Sequence, residues 1–472
     1  MKLLEKIKKK KINSLLNATF FYLIGNAIGQ GVILLSSIVF TRVMTKNDYG
    51  MYSTYYSLVA ILTTLVGVNL FQGLCNAYID YKQDINNFRS SVLFLSTISF
   101  IVVSILTILI NQIVHLGYTL FLVVAALLHA YGFFVINYFN NSANMENRYK
   151  AKTVFMIVPY VLQVAVSLLL IYLMPEQKLE ARVIGSAGGV LCCAVVAYAL
   201  LLRKGKITIN KEYWSYALKI SVPSVLASIS YMIMQQCDNI MITKFHGAEE
   251  TAVYALVYNV GYILYAVLQA TNGVLCAWLY KALDTGKTQN IQKVQKWYLV
   301  IFLILSFGLF MIAPEIVKIL SPKEYWNFSY IPPFVISSCF MMMYSFYTTV
   351  GMFYKKSTQV SLCVFVAAVM NIVLNYILIP KFGGVAAAYT SLVSYFVVFL
   401  LTRIVSQKLN RDLFSMKYFM MFLGVLTVGA VIFSFVKDTI WLRYGVFLIL
   451  LLVLMGYMFA HRKEIIEIVE VK

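Results

Sequence analysis

The stretches 90–114, 118–140 and 418–436 contain no Asp, Glu, Lys or Arg. Each exceeds 18 residues, and about 20 apolar residues in a helix cross the ~30 Å hydrocarbon layer of a membrane. Within that layer the backbone must satisfy its own hydrogen bonds, so such runs fold as helices. Composition agrees: 61% of the chain is hydrophobic and 12% charged. The expected fold class is an all-α polytopic membrane protein. Fourteen spans are read, near 15–40, 52–79, 91–114, 118–140, 153–173, 181–202, 217–242, 252–280, 297–319, 331–353, 361–379, 385–406, 418–436 and 441–460. The alternating strands of a membrane barrel do not dominate anywhere. The basic start "MKLLEKIKKKKINSLLNATFF" resembles a signal peptide only in its charge. Its apolar run is too long, so it reads as a retained first span.

A net charge of +20 invites a nucleic-acid reading. With the N-terminus inside, 29 of the 39 Lys and Arg fall on the inner side and 10 on the outer. That is the positive-inside bias, so the charge reports topology. Both termini are expected in the cytoplasm of a multi-pass cell-membrane protein, and no nucleic acid is expected as a partner. The seven cysteines lie in spans without metal-ligand spacing.

The chain also repeats itself. "TRVMTKNDYGMYSTYY" (41–56) aligns without gaps on "TKFHGAEETAVYALVY" (243–258) at an offset of 202. Thr41 meets Thr243, Arg42 meets Lys244, Asp48 meets Glu250, and Tyr52 and Tyr56 meet Tyr254 and Tyr258. Both segments join the first and second spans of a set of six. Six is even, so the two sets share one orientation as parallel repeats, a transporter design. The expected domains are a six-helix lobe over 1–202, a second over 203–406, and two further helices over 407–472.

Polar residues line up within the spans. At 100° per residue, Ser221, Ser224, Ser228, Tyr231, Gln235, Asp238 and Asn239 share about 100° of the seventh span. Thr19, Asn26, Gln30, Ser37 and Thr41 share about 60° of the first. Tyr254, Tyr258, Tyr262, Tyr265, Gln269 and Asn272 share about 80° of the eighth. Such groups are costly against lipid, so these faces meet protein or water. Interhelical hydrogen bonding explains any one stripe. Recurrence on the opening spans of both halves suggests an uncharged cavity rich in Tyr and amides, suited to hydroxyl-rich ligands such as sugars. The substrate-binding candidates are Asn26, Gln30, Ser228, Tyr231, Gln235, Tyr254, Tyr258, Tyr265, Gln269 and Asn272.

Other chemistry has no foothold. There is no G-x-x-x-x-G-K-[ST] and no H-E-x-x-H, and His115, His129, His246 and His461 are dispersed. No loop is long enough to fold as an enzyme domain. No catalytic residue, cofactor or metal is therefore expected. His129, in "AALLHAYGFF", reads as a hydrogen-bonded packing residue.

"FTRVMTKNDYGMYS", and the seventh span followed by "DNIMITKFHGAEETAVYALVYNVGYI", resemble the polysaccharide repeat-unit flippases of the Wzx type. These belong to the superfamily that holds the multidrug and toxin extruders and the lipid II flippase. The resemblance rests on Thr41, Arg42, Asp48, Gly50 and Tyr52, and on Asp238, Gly247 and Tyr254. It implies two six-helix lobes in a V around a central cavity, with two C-terminal helices flanking a lipid groove. It implies a polyprenyl-diphosphate-linked oligosaccharide as substrate, moved between leaflets by alternating access for surface polysaccharide biosynthesis. A polysaccharide polymerase and chain-length machinery are implied partners. Candidates for the diphosphate or for gating are Arg42 and Lys244 at the outer end, with Asp238 nearby. At the inner mouth they are Arg89, Arg148, Lys219 and Lys281. No arginine is read at mid-span, unlike the lipid II flippase pattern. The alternative is a cation-coupled multidrug exporter of the same superfamily, which calls for buried carboxylates. Asp238 is nearly the only carboxylate inside a span, and counting from Ala217 places it at the outer edge of the seventh, a cheaper position than the centre.

Overall fold

A computed structural model describes residues 25, 27–114, 118–203, 205–286, 288–410 and 413–462. Among them all regular structure is helical. Asn26, Thr19 and His115 lie outside the described residues. The first compact unit runs to Ile240 and the second starts at Met241.

The first unit holds α1 (Ala27–Val43), α2 (Lys46–Val66), α3 (Phe71–Asp80), α4 (Ile85–Val114), α5 (Leu120–Met145), α6 (Tyr149–Leu173), α7 (Lys178–Leu202) and most of α8 (Lys211–His246). The second holds α9 (Ala248–Gly261), α10 (Ile263–Asp284), α11 (Ile291–Leu320), α12 (Ile331–Phe353), α13 (Ser357–Leu409), α14 (Met416–Val436) and α15 (Ile440–Ala460). Twelve helical segments among the described residues are long and apolar enough to span, with α2–α3 and α9–α10 each forming one. α13 bends at Gly383, whose φ of 64° is open to glycine without cost. Counting its two arms separately and adding α1 recovers the fourteen spans.

Local chemistry sets the turns. Thr45 caps α2, its hydroxyl accepting from the Asp48 amide at 3.1 Å. At the repeat-equivalent position Gly247 turns the chain into α9 with a φ of 89°. Between α2 and α3 the chain breaks at Val68 and Asn69, both with positive φ.

The repeat boundary and the packing boundary differ. By sequence α8 opens the second repeat, yet as far as Ile240 it packs with the first unit. Asn69 Nδ2 donates to Ser228 Oγ at 2.7 Å, Ser57 Oγ to Gln236 Oε1 at 2.9 Å, and Asn239 Nδ2 to Ser57 Oγ at 2.8 Å. Glycines set the closest approaches in this unit. A Cβ on Gly67 would meet the Phe134 ring at 2.0 Å. One on Gly185 would meet Ser167 Cα at 2.4 Å, and one on Gly189 the Gln163 amide nitrogen at 2.6 Å. Gly185 and Gly189 form a G-x-x-x-G pair that lets α6 and α7 touch backbone to backbone. Outward faces are apolar, as at Ile105 and Ile113 of α4, Val428 and Phe435 of α14, and Leu452 and Phe459 of α15. A bilayer covers such faces at no cost.

Candidate functional site

A cavity of about 310 Å³ opens in the first unit between α1, α5 and α6. Its polar wall is Gln30, Asn137, Asn140, Asn141 and Lys152, and its aromatic wall Phe133, Phe155 and Tyr160. Glycine brings α1 close to α6 here, since a Cβ on Gly29 would sit 3.2 Å from the Tyr160 ring. On α5, Asn137, Asn140 and Asn141 fall at i, i+3 and i+4, one face of the helix. Asn141 Nδ2 donates to Asn137 O at 2.9 Å. Asn140 Oδ1 is buried without a hydrogen-bond partner, an acceptor that a donor in the cavity would satisfy. Lys152 Nζ donates to Asn144 Oδ1 at 3.1 Å. Exposed amides at membrane depth are tolerated where they line a wet cavity. The site can accept hydroxyl donors on its amides and sugar C–H faces on its rings.

Of the stripe residues, Gln30 lines this cavity. The other described ones are not on its wall. Ser228 accepts from Asn69, Gln235 is buried and Tyr231 is half-buried. Within the α8 stripe, Ser228 and Asn239 thus bond to the turn after α2 and to α2 itself. In the second unit Tyr254, Tyr258, Tyr262 and Tyr265 form a ladder of rings with successive centroids 6.2, 5.7 and 4.5 Å apart. Tyr254 is 1% exposed and packs edge-on against Phe334 at 5.2 Å. Tyr265 is also buried and accepts from Gln269 Nε2. The two end rungs, Tyr254 and Tyr265, are thus packed, and Tyr258 and Gln269 keep exposure. Asn272 accepts from Cys276 Sγ at 3.5 Å.

The proposed cations also divide. Arg89 is 2% exposed and spent on Glu146 Oε1 at 2.6 Å. Arg148 pairs with the other oxygen of Glu146 at 3.1 Å. Neither cation faces the cavity. Burial pushes the Glu146 carboxyl up, but the Tyr78 and Arg148 hydrogen bonds and the charges of Arg89 and Arg148 outweigh it, holding the group below its ordinary value. A depressed pKa contributes stability that is present above the unfolded value and lost as pH falls through the folded one. Glu146→Gln is therefore expected to lower thermal stability at neutral pH and to flatten its decline on acidification. An acid limb as steep as the parent's would remove that role. Arg42 is exposed and donates to Ile38 O at 2.6 Å. Lys244, Lys219 and Lys281 are not on the cavity wall; Lys244 lies 5.9 Å from the Phe245 ring centroid. Asp238 is 2% exposed. α8 continues to His246, eight residues or about 12 Å beyond it, so Asp238 lies two turns from the end of the helix.

His129 is a packing residue, as its context predicts. Its Nδ1 lies 3.0 Å from Tyr55 Oη and its ring stacks on Phe133. Sequence reasoning missed three cations. Lys152 sits one turn into α6, Arg182 lies 7% exposed between the Phe40 and Tyr52 rings, and Arg443 is wholly buried against Glu315. All three stand at span ends, where basic residues read as topology. It also missed Asn137, Asn140 and Asn141, whose i, i+3, i+4 spacing was the available signal.

Comparison with known proteins bears on this architecture. Over 188 residues the chain is 24% identical to the Lsg locus putative protein 1 of Haemophilus influenzae, covering 37% of this chain and 47% of that protein, so the match spans about half of the relative's length. Among solved structures, the lipid II flippase MurJ in an inward closed conformation superposes with a TM-score of 0.71 at 13% identity, covering 94% of this chain and 99% of that one. A MATE transporter of Vibrio cholerae superposes with a TM-score of 0.59 at 12% identity, over 86% and 98%. At such identities the likeness is one of fold, that of the transporters of the MOP superfamily. The family described as polysaccharide biosynthesis protein matches residues 15–280, more than half of the 472, and the chain, a multi-pass membrane protein, belongs to that family.

Proposed function

We propose that this protein is a flippase that carries polyprenyl-diphosphate-linked oligosaccharide repeat units from the inner to the outer leaflet of the cytoplasmic membrane. The observation that carries this reading is the amide- and aromatic-lined cavity of the first unit, set in a lobe with apolar outer faces. Sugar hydroxyls would exchange water for the amides of Gln30, Asn137, Asn140 and Asn141, while the polyprenyl tail stays in lipid. No carboxylate stands on the described wall, which favours sugar over the cationic drugs of a multidrug exporter. Membership of the polysaccharide biosynthesis family and the flippase-like fold support the same reading.

Alternating access needs a closure that can open. With both termini inside, the turn after α3 and the start of α8 face the cytoplasm. There Tyr81 donates to Glu212 at 2.9 Å, Tyr213 to Asp84 and Tyr216 to Asp80. The rings of Tyr81, Phe88, Tyr213 and Tyr216 pack around these bonds. Parting α3 from α8 would break three hydrogen bonds to carboxylates and open the inner side.

The test is transport of a fluorescent lipid-linked sugar in proteoliposomes. Replacing Asn137 and Asn141 together by Leu removes two amides at conserved size. At about 0.5–1.5 kcal/mol per hydrogen bond, flipping is expected to slow about tenfold with membrane insertion unchanged. A parental rate in that variant would take the substrate path away from this cavity.

A further inference from the structure

α13 breaks at Gly383, and the break leaves helix ends that need partners. Ile379 O is among the last carbonyls of the first arm, and Gly384 N–H among the first amides of the second. Both are met from one turn, that between α8 and α9. His246 Nε2 lies 2.7 Å from Ile379 O, and Glu250 Oε1 accepts from Gly384 N at 2.5 Å. The two side chains also meet each other, with His246 Nδ1 3.3 Å from Glu250 Oε2. A carbonyl and an ionised carboxylate only accept hydrogen bonds. A ring that faces an acceptor at each nitrogen carries a proton on both, which makes it an imidazolium. Helix dipoles favour the same charges. His246 stands in the last turn of α8 and at the end of the first arm of α13, where cations are stabilised. Glu250 stands in the first turn of α9 and at the start of the second arm, where anions are.

We propose that His246 and Glu250 form a proton-dependent clasp on the break of α13. With His246 charged, both arms are capped. A neutral ring has one N–H for two acceptors, so one bond is released. The clasp is therefore complete in acid and weakens as pH rises through the range where histidine changes charge. The side chains of His246 and Glu250 are 29% and 30% exposed, so solvent protons reach them. Gly383 has a φ of 64°, and a Cβ there would strike Glu250 Oε1, so the clasp closes only on glycine. Tyr330, just before α12, sets its hydroxyl against Gly384. The other charged or titratable residues of these turns are Lys244, Glu249 and Lys381, with Lys323, Glu324 and Tyr325 before α12. Glu315 and Lys318 of α11 pair with each other, and Glu315 with Arg443. The first unit supplies a contrast at the offset of 202. There Lys178 Nζ, at the start of α7, donates to Val43 O, at the end of α1, at 2.8 Å, and no histidine takes part. That the clasp faces the outside rests on the flippase reading, with both termini in the cytoplasm. External acidity would then order this turn during transport.

The experiment is amide hydrogen exchange of the full-length protein in nanodiscs, read as protection factors so that the intrinsic pH dependence of exchange cancels. Between about pH 5 and about pH 8, protection over 380–388 is expected to fall about tenfold, the worth of one hydrogen bond to a charged group. Protection over 174–182, the contrasting turn of the first unit, should hold. His246→Arg, a permanent cation with several donors, should keep 380–388 protected at both pH values. His246→Gln should leave it at the lower level at both. Equal protection of the parent at the two pH values, a matching fall over 174–182, or a fall that persists in His246→Arg overturns the clasp. So does His246→Gln as protected in acid as the parent. Should a His246 variant fail to insert, Glu250→Gln keeps an acceptor for Gly384 without the charge and must abolish the pH step; a surviving step overturns the proposal. The flipping assay separates the two levels. Flipping by a parent without the step overturns the clasp and leaves the flippase. The step in a parent that flips no lipid-linked sugar overturns the flippase and leaves the clasp.

Discussion

Arg443→Ala is expected to destabilise the protein by about 3–5 kcal/mol, the cost of leaving one partner of a buried ion pair uncompensated. Arg443 forks onto Glu315 of α11, with Nη1 at 2.5 Å from Oε2 and Nη2 on Oε1, and Nη1 also reaches Met311 O at 2.6 Å. Among the described residues of α15 it is the buried one; the helix otherwise turns leucines, valines and aromatics outward. α15 therefore docks through a charge, because in lipid its apolar side chains gain nothing from leaving the hydrocarbon. Lys318 lies 3.8 Å from Glu315 and offsets part of the loss. Thermal unfolding in detergent measures the effect, and protease nicking between α14 and α15 should rise with it. A loss below about 1 kcal/mol, the worth of an exposed pair, would show that this pair is not buried in the membrane-embedded protein. Replacing both Arg443 and Glu315 by Leu should restore most of the stability, since no stranded charge remains.

Gly185→Ala and Gly189→Ala carry the second large effect. Each added methyl lands on backbone: Ser167 Cα at 2.4 Å for the first, and the Gln163 nitrogen at 2.6 Å for the second. Backbone cannot rotate away as a side chain can, so α6 and α7 must part. Overpacking of this kind costs about 1–3 kcal/mol per site, and adjacent sites couple rather than add. Gly188 is the internal control. A Cβ there meets nothing within 4 Å, so Gly188→Ala should be neutral, or stabilising by up to about 1 kcal/mol from helix propensity. Melting curves of the three single variants decide it, and equal losses at 185, 188 and 189 would refute the close-contact account. Loss of α6–α7 contact should also reach transport, because α6 carries Lys152 and Tyr160 of the cavity.

The sequence reading went furthest where one physical rule acts alone. Hydrocarbon thickness turns long uncharged runs into helices, so the spans and the all-α class were legible from residues such as 418–436. The offset of 202 was legible because Thr41, Asp48 and Tyr52 recur as Thr243, Glu250 and Tyr254. Periodicity also groups polar residues into faces. It could not say what each face meets. Ser228 and Asn69 are polar for each other, and Tyr254 is polar at its tip yet buried among Tyr330 and Phe334. A helical stripe is the same whether it lines water or a neighbouring helix.

What the sequence by itself determined is therefore topology: a multi-pass helical chain with a repeat and a basic-residue bias. These depend on the solvent and on local order along the chain. What only the tertiary structure decided is partnership. It spent Arg89 and Arg148 on Glu146, buried Arg443 against Glu315, and gathered Gln30, Asn137, Asn140 and Lys152 around one cavity. Those residues lie up to 128 positions apart within a pair. Whether a charge is buried in an ion pair or stands on a cavity wall depends on which helix stands opposite, and that is set by packing.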